Sequence, residues 1–464
     1  MMKQLVVKIA CVTMAGIVFP LFAGIFDNAW IKGTSDKNPL SYKTGEEMVF
    51  TLELQGVDGD IPEGEYKLWC KRSDDFGATE EGSIPLAKTP FVYRTKLEKP
   101  GFVRLEAYVV DKDGNRVVKK FTGDTSTPEG RKAMNEFERK KKNVFFDGGA
   151  GAEIESLSLA QEAEPADFDE FWARQFARLD KVPIREERIE IESRNPKVRV
   201  FAVRIDCAGL RPVTGYLSIP KAVDEGAAFP CQLATHGYSG DRCVHAENWE
   251  WHPPSDKILL NINAHGLKLA EFGATEADTK ALRWEVRSNG KTYAFDPEQN
   301  KDPEVAYFNG MVLRVKRALQ YLKTLKGWNR KDLYASGGSQ GGLQTIWAAG
   351  CGEGVTRADS SITWCCDMYM NNARLDKKAS GDGWYIRWVP GVAYYDAAVW
   401  AKRIPMSCHT NIPRAGIGDY CCPPMGLAKL WNSIPGNKSI TWVQGSEHGY
   451  VPPDYEGRDF TMEK

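Results

Sequence analysis

Five residues place the tightest limit on how this chain folds: Gly337-Gly338-Ser339-Gln340-Gly341, between a strand-like run, Leu333–Ser336, and a helix-like run, Leu343–Ala349. Their form is G-x-S-x-G. Small residues two positions to either side of a serine let the backbone turn sharply from strand into helix and leave the hydroxyl exposed at the turn. The pattern therefore asks for strands and helices in layers, with a nucleophile at their junction. A glycine-rich structural turn is the alternative, and the strand and helix on its flanks argue against it.

The chain from Pro165 onward agrees with that demand. Asp167–Leu179 places Phe168, Phe171, Trp172 and Phe176 at helical spacing. Val312, Val315, Leu319 and Leu322 make one face of a second helix. Cys231–Thr235, Ile258–Asn263, Leu333–Ser336, Ala415–Gly418 and Ile440–Val443 are short apolar runs of the kind buried in a parallel sheet. Strands alternating with helices predict an α/β fold, a mostly parallel sheet with helices on both faces, over residues 165–464.

At 464 residues the chain has room for two or three domains. Met48–Leu54, Tyr66–Lys71, Phe91–Leu97 and Phe102–Val110 are rich in aromatic and β-branched residues and are separated by turn clusters. They predict a small immunoglobulin-like β-sandwich over residues 25–122. Directly after the last of these runs, Asp111–Asn115 (DKDGN) reads as a hairpin turn and not as a calcium loop. The charged and glycine-rich stretch 123–164 reads as a linker or surface wrap, with its GGAG glycines at no strand-to-helix boundary that would make a phosphate loop. Residues 1–24 have the form of a signal peptide: Lys3 and Lys8, then an apolar run from Ile9 to Phe22 interrupted only by Thr13, then Ala23-Gly24. An exported protein, periplasmic or extracellular, is the expectation, with no membrane span in the mature chain.

A net charge of −1 gives no electrostatic case for a nucleic-acid partner or an acidic membrane. Ten cysteines remain beyond the leader, and an oxidising compartment permits disulfides among them, with buried free thiols as the alternative. Neither vicinal pair, Cys365–Cys366 or Cys421–Cys422, has zinc-finger spacing, so no metal is expected.

A serine hydroxyl needs a base. Six histidines are present, and only His448 comes after the last strand-like run and late enough to follow an acid on a strand of its own. The chain order Ser, acid, His is the one that goes with a G-x-S-x-G elbow. His409 is the runner-up. Asp419 is the candidate acid because it closes the run Arg414–Gly418, whereas Asp396 and Asp367 do not so clearly close an apolar strand, and Glu447 reads as a solvated loop carboxylate. Two backbone N–H donors are needed for an oxyanion hole. Gln340, directly after the nucleophile, supplies one, and Tyr238, in the loop after the Cys231–Thr235 strand, supplies the other. His236 then reads as a structural histidine beneath that loop. Trp384, Trp388 and Trp400 lie between nucleophile and acid, as a sugar platform or as core. Trp30 and Trp69 pose the same choice in the N-terminal region, where packing is preferred over glycan binding.

Taken together, Asp167–Trp172 (DFDEFW), His236–Gly240 (HGYSG), Gly337–Gly342 (GGSQGG), Tyr395–Ile404 (YDAAVWAKRI), Gly418–Pro424 (GDYCCPP) and His448-Gly449 resemble the acetyl xylan esterases and cephalosporin C deacetylases of carbohydrate esterase family 7. The resemblance runs from about Pro165 to the C-terminus. It implies an α/β-hydrolase fold, a serine esterase that removes acetyl groups from acetylated oligosaccharide or polysaccharide, and no cofactor. Carried over position by position, it implies a triad of Ser339, Asp419 and His448 with Tyr238 and Gln340 at the oxyanion hole. The chain departs from the family at Ala264-His265-Gly266, where Arg-Gly-Gln is usual, in a long polar stretch from about 270 to 302, and in the added N-terminal region. These departures leave the oligomeric state and the substrate entrance open. A general carboxylesterase or serine peptidase of the same fold, and a non-catalytic glycan-binding protein, are the competing readings.

Overall fold

The structure, a computed structural model, describes residues 24–87, 89–121, 123–139, 143–238, 253–285, 288–291, 293–370, 385–455 and 458–464. The leader, His245, His252, Cys243 and Trp384 lie outside the described residues.

Two small antiparallel sheets come first. Trp30–Ser35 (β1), Met48–Gln55 (β2) and Phe91–Thr95 (β5) form one, in the order β1-β2-β5. Tyr66–Asp74 (β3), Thr79–Pro85 (β4), Gly101–Asp111 (β6) and Phe145–Ala152 (β7) form the other, in the order β4-β3-β6-β7. Burial alternates along β2 and β3, as strands with one face on a core require. Ile31, Phe50 and Leu52 from the first sheet meet Leu68, Leu105, Val109 and Phe146 from the second in one shared core. The turn at Asp111–Asn115 is held by the Asp111 carboxylate, which accepts from the Asp113 and Asn115 N–H groups at 3.0 and 2.8 Å.

The stretch expected to link two units is instead built into the fold. It carries an exposed helix, Pro128–Arg139 (α1), and strand β7, which is buried along its whole length and pairs with β6. The glycines that gave this stretch its linker character have a steric purpose. A Cβ on Gly149 would lie 1.9 Å from Val103 O, and one on Gly148 would lie 2.4 Å from Gln444 Oε1. Close approach on both faces, not flexibility, selects glycine here.

A ten-stranded sheet organises the remainder. Its order is β17-β16-β15-β14-β13-β11-β12-β10-β9-β8. The strands are Glu186–Ile191 (β8), Val198–Ile205 (β9), Val213–Pro220 (β10), Phe229–Thr235 (β11), Ile258–Ile262 (β12), Trp328–Gly338 (β13), Arg357–Ser361 (β14), His409–Gly416 (β15), Lys438–Val443 (β16) and Asp459–Glu463 (β17). From β12 through β11 and β13 to β16 every pairing is parallel, while β8, β9, β10 and β17 are antiparallel to their neighbours. This is the mostly parallel α/β sheet that the sequence calls for. Phe168–Asp180 (α2) buries Phe168, Phe171 and Trp172, as its spacing predicts, and Leu179 besides, while Phe176 is only partly buried. Glu276–Glu285 (α3) lies in the polar stretch that distinguishes this chain. Tyr307–Leu322 (α4) and Gln340–Gly350 (α5) are buried almost all round. Helices Ala397–Ala401 (α6) and Pro424–Ser433 (α7) follow.

Trp400 is 1% exposed and stacks edge-on against Phe168 and Trp172, so it is core and not a sugar platform. The nine described cysteines are free thiols.

Gly149→Ala should destabilise the whole protein by about 1–3 kcal/mol, because the new methyl has only backbone to displace. Urea unfolding of the variant beside wild type measures it, and an unchanged midpoint would mean that β7 does not pack against β6 as described.

Candidate active site

All five candidate residues for the chemistry emerge at one edge of the sheet, where parallel strands deliver their carboxyl ends and where open α/β sheets bind ligands. Ser339 follows β13, Tyr238 follows β11, Asp419 follows β15 and His448 follows β16. Gln340 opens α5. His409, the alternative base, lies exposed at the opposite, amino end of β15, which removes it from this edge.

Ser339 has φ 58° and ψ −117°. A side-chain-bearing residue is strained there, at a cost on the order of 1–3 kcal/mol. Backbone bonds on both sides hold it: its N–H donates to Ser361 O at 2.9 Å, and its carbonyl accepts from Trp364 N–H at 3.1 Å and Leu343 N–H at 3.0 Å. Two glycines of the motif are needed for space. A Cβ on Gly337 would lie 2.5 Å from both Gly341 O and Thr235 Oγ1, and one on Gly341 would lie 2.5 Å from Thr235 O. The elbow is thus wedged against the end of β11. The loop that leaves β11 crosses directly over it, since a Cβ on Gly237 would lie 4.0 Å from the Ser339 Cβ. Tyr238 follows in that loop, and the Gln340 N–H belongs to the first turn of α5, whose donors have no partner inside the helix.

His448 and Asp419 meet as a hydrogen-bonded pair. His448 Nδ1 lies 2.8 Å from Asp419 Oδ2, with the carboxylate fully buried and the imidazole 30% exposed. The other carboxylate oxygen accepts from the Cys421 and Cys422 N–H groups, both at 3.0 Å. The two loops are also laced through their backbones: Gly418 N–H donates to Ser446 O at 3.0 Å and Ile417 N–H to Val443 O at 3.1 Å. A hydrogen bond from Nδ1–H to the carboxylate leaves Nε2 as the free, basic nitrogen.

The rival acids are occupied in structural work. Asp396 caps α6 through the Ala398 N–H at 2.8 Å and accepts from Asp367 and Met368 N–H groups; burial pushes its carboxyl up to about 7. Asp367 is ion-paired with Lys429 at 2.5 Å, with neither side chain more than 4% exposed. His236 uses both ring nitrogens beneath its loop: Nε2 accepts from Ala264 N–H at 3.0 Å, so Nδ1 carries the proton toward Gly237 O at 2.8 Å. His265, at the position of the departure from the family pattern, is fully buried against Tyr293 and bonds Tyr307 Oη through Nδ1 at 2.7 Å. Burial drives its pKa well below the usual imidazole range, so the ring is neutral.

Trp388 is half-buried and meets Tyr369 edge-on at 5.0 Å. In the N-terminal unit, Trp69 packs with Tyr108 and Phe145 beside Tyr450, so it is not a free platform. Among the described residues one group combines metal-ligand types, Asp419, Cys422 and His448, with ligand atoms within 4.8 Å of one another. Two features count against an ion there. Burial pushes the Cys422 thiol well above its usual range, and His448 Nδ1 is committed to Asp419.

One residue that the sequence did not single out is Tyr293, in the long polar stretch. It is fully buried, stacks on Tyr238 with ring centroids 4.9 Å apart, and donates its hydroxyl to the Gln340 side-chain carbonyl. Phe295 and Trp364 complete an aromatic wall around Tyr238. Its sequence signal was faint, a single Tyr-Ala-Phe island among polar residues.

Residues 155–380 match the family model described as acetyl xylan esterase (AXE1), a match that takes in Tyr238, Ser339 and Gln340 and stops before Asp419 and His448. The acetyl esterase Axe7A of Xylanibacter ruminicola is 25% identical over 293 residues, which is 61% of this chain and 63% of that protein. The match therefore spans less than two thirds of that relative's length. Two solved structures share the fold. An acetyl xylan esterase from Paenibacillus sp. R4 superposes with a TM-score of 0.52 at 21% identity, covering 66% of this chain and 95% of that one. Acetyl xylan esterase 1 from Thermoanaerobacterium sp. gives a TM-score of 0.52 at 17% identity, over 66% and 94%.

Tyr293→Phe should cost about 1–3 kcal/mol, since it leaves the buried Gln340 amide without its donor. It should also slow labelling of Ser339 by a fluorophosphonate. Wild-type stability together with wild-type labelling would show that Gln340 is held by other contacts.

Proposed function

We propose, from the match of residues 155–380 to the acetyl xylan esterase family model, that this chain is a serine esterase that removes acetyl groups from acetylated xylan or related oligosaccharides. The observation that carries the proposal is the convergence at one sheet edge of a strained serine elbow with a buried Asp419–His448 pair. The acetyl group and the xylan come from the proteins it resembles, an acetyl esterase and an acetyl xylan esterase.

The mechanism is a two-step acyl transfer. His448 Nε2 takes the Ser339 proton as Oγ attacks the acetyl carbonyl. Asp419 holds the imidazole through Nδ1–H and stabilises the imidazolium that forms. The N–H groups of Tyr238 and Gln340 receive the negative charge on the carbonyl oxygen, the step at which fixed donors contribute most. His448 returns the proton to the leaving sugar hydroxyl, and the acetyl group stays on Ser339. Water then gives a proton to the same imidazole and attacks the acyl-enzyme, and the imidazolium passes that proton to Ser339 Oγ as acetate leaves. No cofactor enters these steps.

Trp388, and Trp384 outside the described residues, are proposed to face the sugar, as aromatic planes suit its apolar faces. The division of the chain is part of the same reading: an immunoglobulin-like sandwich, which we extend to take in β7, followed by the α/β-hydrolase unit. An exported location, periplasmic or extracellular, suits a polymer substrate, and no described helix is long and apolar enough to cross a membrane.

Acetate release from acetylated xylo-oligosaccharides, run beside p-nitrophenyl esters of rising chain length, tests the proposal. Fast acetate release with a steep fall beyond short acyl chains is expected, and Ser339→Ala should lose at least about 10⁴-fold in turnover. Good turnover of long esters with no acetate from sugars would instead make it a general carboxylesterase. Near wild-type activity in Ser339→Ala would remove the nucleophile and the mechanism with it.

A further inference from the structure

The loops that carry Asp419 and His448 do not rest on the ten-stranded sheet alone. Strands β6 and β7 of the N-terminal unit lie directly against them. Gln444, four residues before His448 and 3% exposed, makes two hydrogen bonds to one residue of β7: its Nε2 donates to Gly149 O at 2.8 Å, and its Oε1 accepts from Gly149 N–H at 3.0 Å. The side chain thus takes the place of a neighbouring strand.

The acid loop is met in the same way. A Cβ on Gly418, the residue before Asp419, would lie 2.0 Å from Asp147 O on β7. Tyr420, the residue after Asp419, has its ring 4.2 Å from the Arg104 guanidinium of β6. Arg104 in turn bonds both carboxylate oxygens of the fully buried Asp147, at 2.8 and 2.5 Å. Burial pushes the Asp147 carboxyl up while the guanidinium pulls it back down; with a permanently charged partner forked onto both oxygens, the pair is ionic. On the far side of His448, the Tyr450 ring packs on Phe145 of β7 at 5.1 Å, and Tyr450 O accepts the Ser446 hydroxyl at 2.6 Å. Further along, Arg458 donates to Gly33 O of β1 at 2.6 Å.

Both neighbours of Asp419, and residues four before and two after His448, are therefore seated on the N-terminal unit. A module that served only as a spacer would need none of these contacts, and inter-domain surfaces in one chain more often permit relative motion. We propose that the N-terminal unit is a positioning element of the active site, with Gln444, Arg104 and Asp147 as positioning residues that hold the Asp419–His448 pair in register with Ser339. This rests on the proposed triad. Loss of the contacts shifts loops by fractions of an ångström, which costs transition-state stabilisation more than ground-state binding of a small ester.

The test is steady-state turnover of p-nitrophenyl acetate by full-length Gln444→Met and Asp147→Asn, with melting temperatures measured on the same samples. The expected result is a fall in kcat of about 10–100-fold with KM held within about twofold. Leu179→Ala, in the buried face of α2 and packed with Ala208 and Leu313, supplies a control whose melting temperature falls while its kcat at 25 °C stays near wild type. Arg104→Lys keeps the charge beside Asp147 but gives up the planar stack on Tyr420. It is the milder variant should the first two not fold, and a several-fold loss of kcat is expected of it. Wild-type kcat in folded Gln444→Met, or in Arg104→Lys if that alone folds, overturns the proposal. A loss of kcat in Leu179→Ala equal to that in Gln444→Met also overturns it, since instability alone would then explain the effect. Ser339→Ala and His448→Ala run in the same assay keep the two ideas apart. If they are inactive while the positioning variants are fully active, only this inference fails; if they are active, the triad itself is wrong.

Discussion

Ser339 occupies a backbone conformation that costs on the order of 1–3 kcal/mol for a residue with a side chain, and much of the surrounding architecture can be traced to holding it there. The turn exists only because Gly337 and Gly341 let the elbow press against Thr235 at the end of β11. That contact fixes where the next loop begins. The loop must then run over the elbow, which brings Gly237 within van der Waals reach of Ser339 and sets Tyr238 beyond it. Local strain at one residue thus sets the spacing between two strands and the course of the loop above them. The stability of the buried helix α5 and of the parallel ladder on either side of β13 offsets the strain.

Asp419 and His448, the proposed acid and base, depend on a second close approach. Gly416 allows the end of β15 to pass so near Ser446, in the loop after β16, that the backbones hydrogen-bond there, while Gly418 makes room for Asp147 of β7. Asp419 then sits with one oxygen on two backbone N–H groups and the other on His448. A carboxylate buried this deeply is tolerated only because each oxygen has partners. The same rule explains the other charged groups behind the site. Asp396 is covered by three N–H donors, Asp367 by Lys429, and Asp147 by the fork of Arg104. Neutral His236 and His265 are each fixed through ring nitrogens to neighbours in the floor of the site. Residues of chemically active type are abundant here, and what separates a proposed role in chemistry from a structural one is which of them keeps a free, partly exposed atom at the carboxyl edge of the sheet. His448 does.

The long polar stretch and the N-terminal unit, two of the three places where the sequence departs from the family pattern it resembles, both reach the proposed site. Tyr293 from the first stacks on Tyr238 and bonds the Gln340 side chain. Strand β7 from the second supports the acid and base loops.

What was legible in the sequence was whatever depends on neighbours along the chain. The steric requirement of the elbow wrote itself as G-x-S-x-G, helical spacing wrote itself in Phe168, Phe171 and Trp172, and the order Ser, Asp, His followed from the order of the strands. Of the strands left unseen, β9 and β10 are rich in β-branched residues and were passed over, while two others lacked any local signature. β8, as Glu-Glu-Arg-Ile-Glu-Ile, is nearly all exposed, and β14, as Arg-Ala-Asp-Ser-Ser, is too polar to read as core. Both are strands because of the ladder partner beside them, which no window of sequence contains. β7 was misread for the same reason, since glycines chosen for close packing and glycines chosen for flexibility look alike until the atoms on either side are known. Sequence alone determined the kinds of residue available for the chemistry and their order on the sheet. Only the tertiary structure decided which atoms face one another, because burial, hydrogen-bond partners and the contact between the N-terminal strands and the loops of Asp419 and His448 are properties of residues brought together from more than 250 positions apart, as Gln444 is with Gly149.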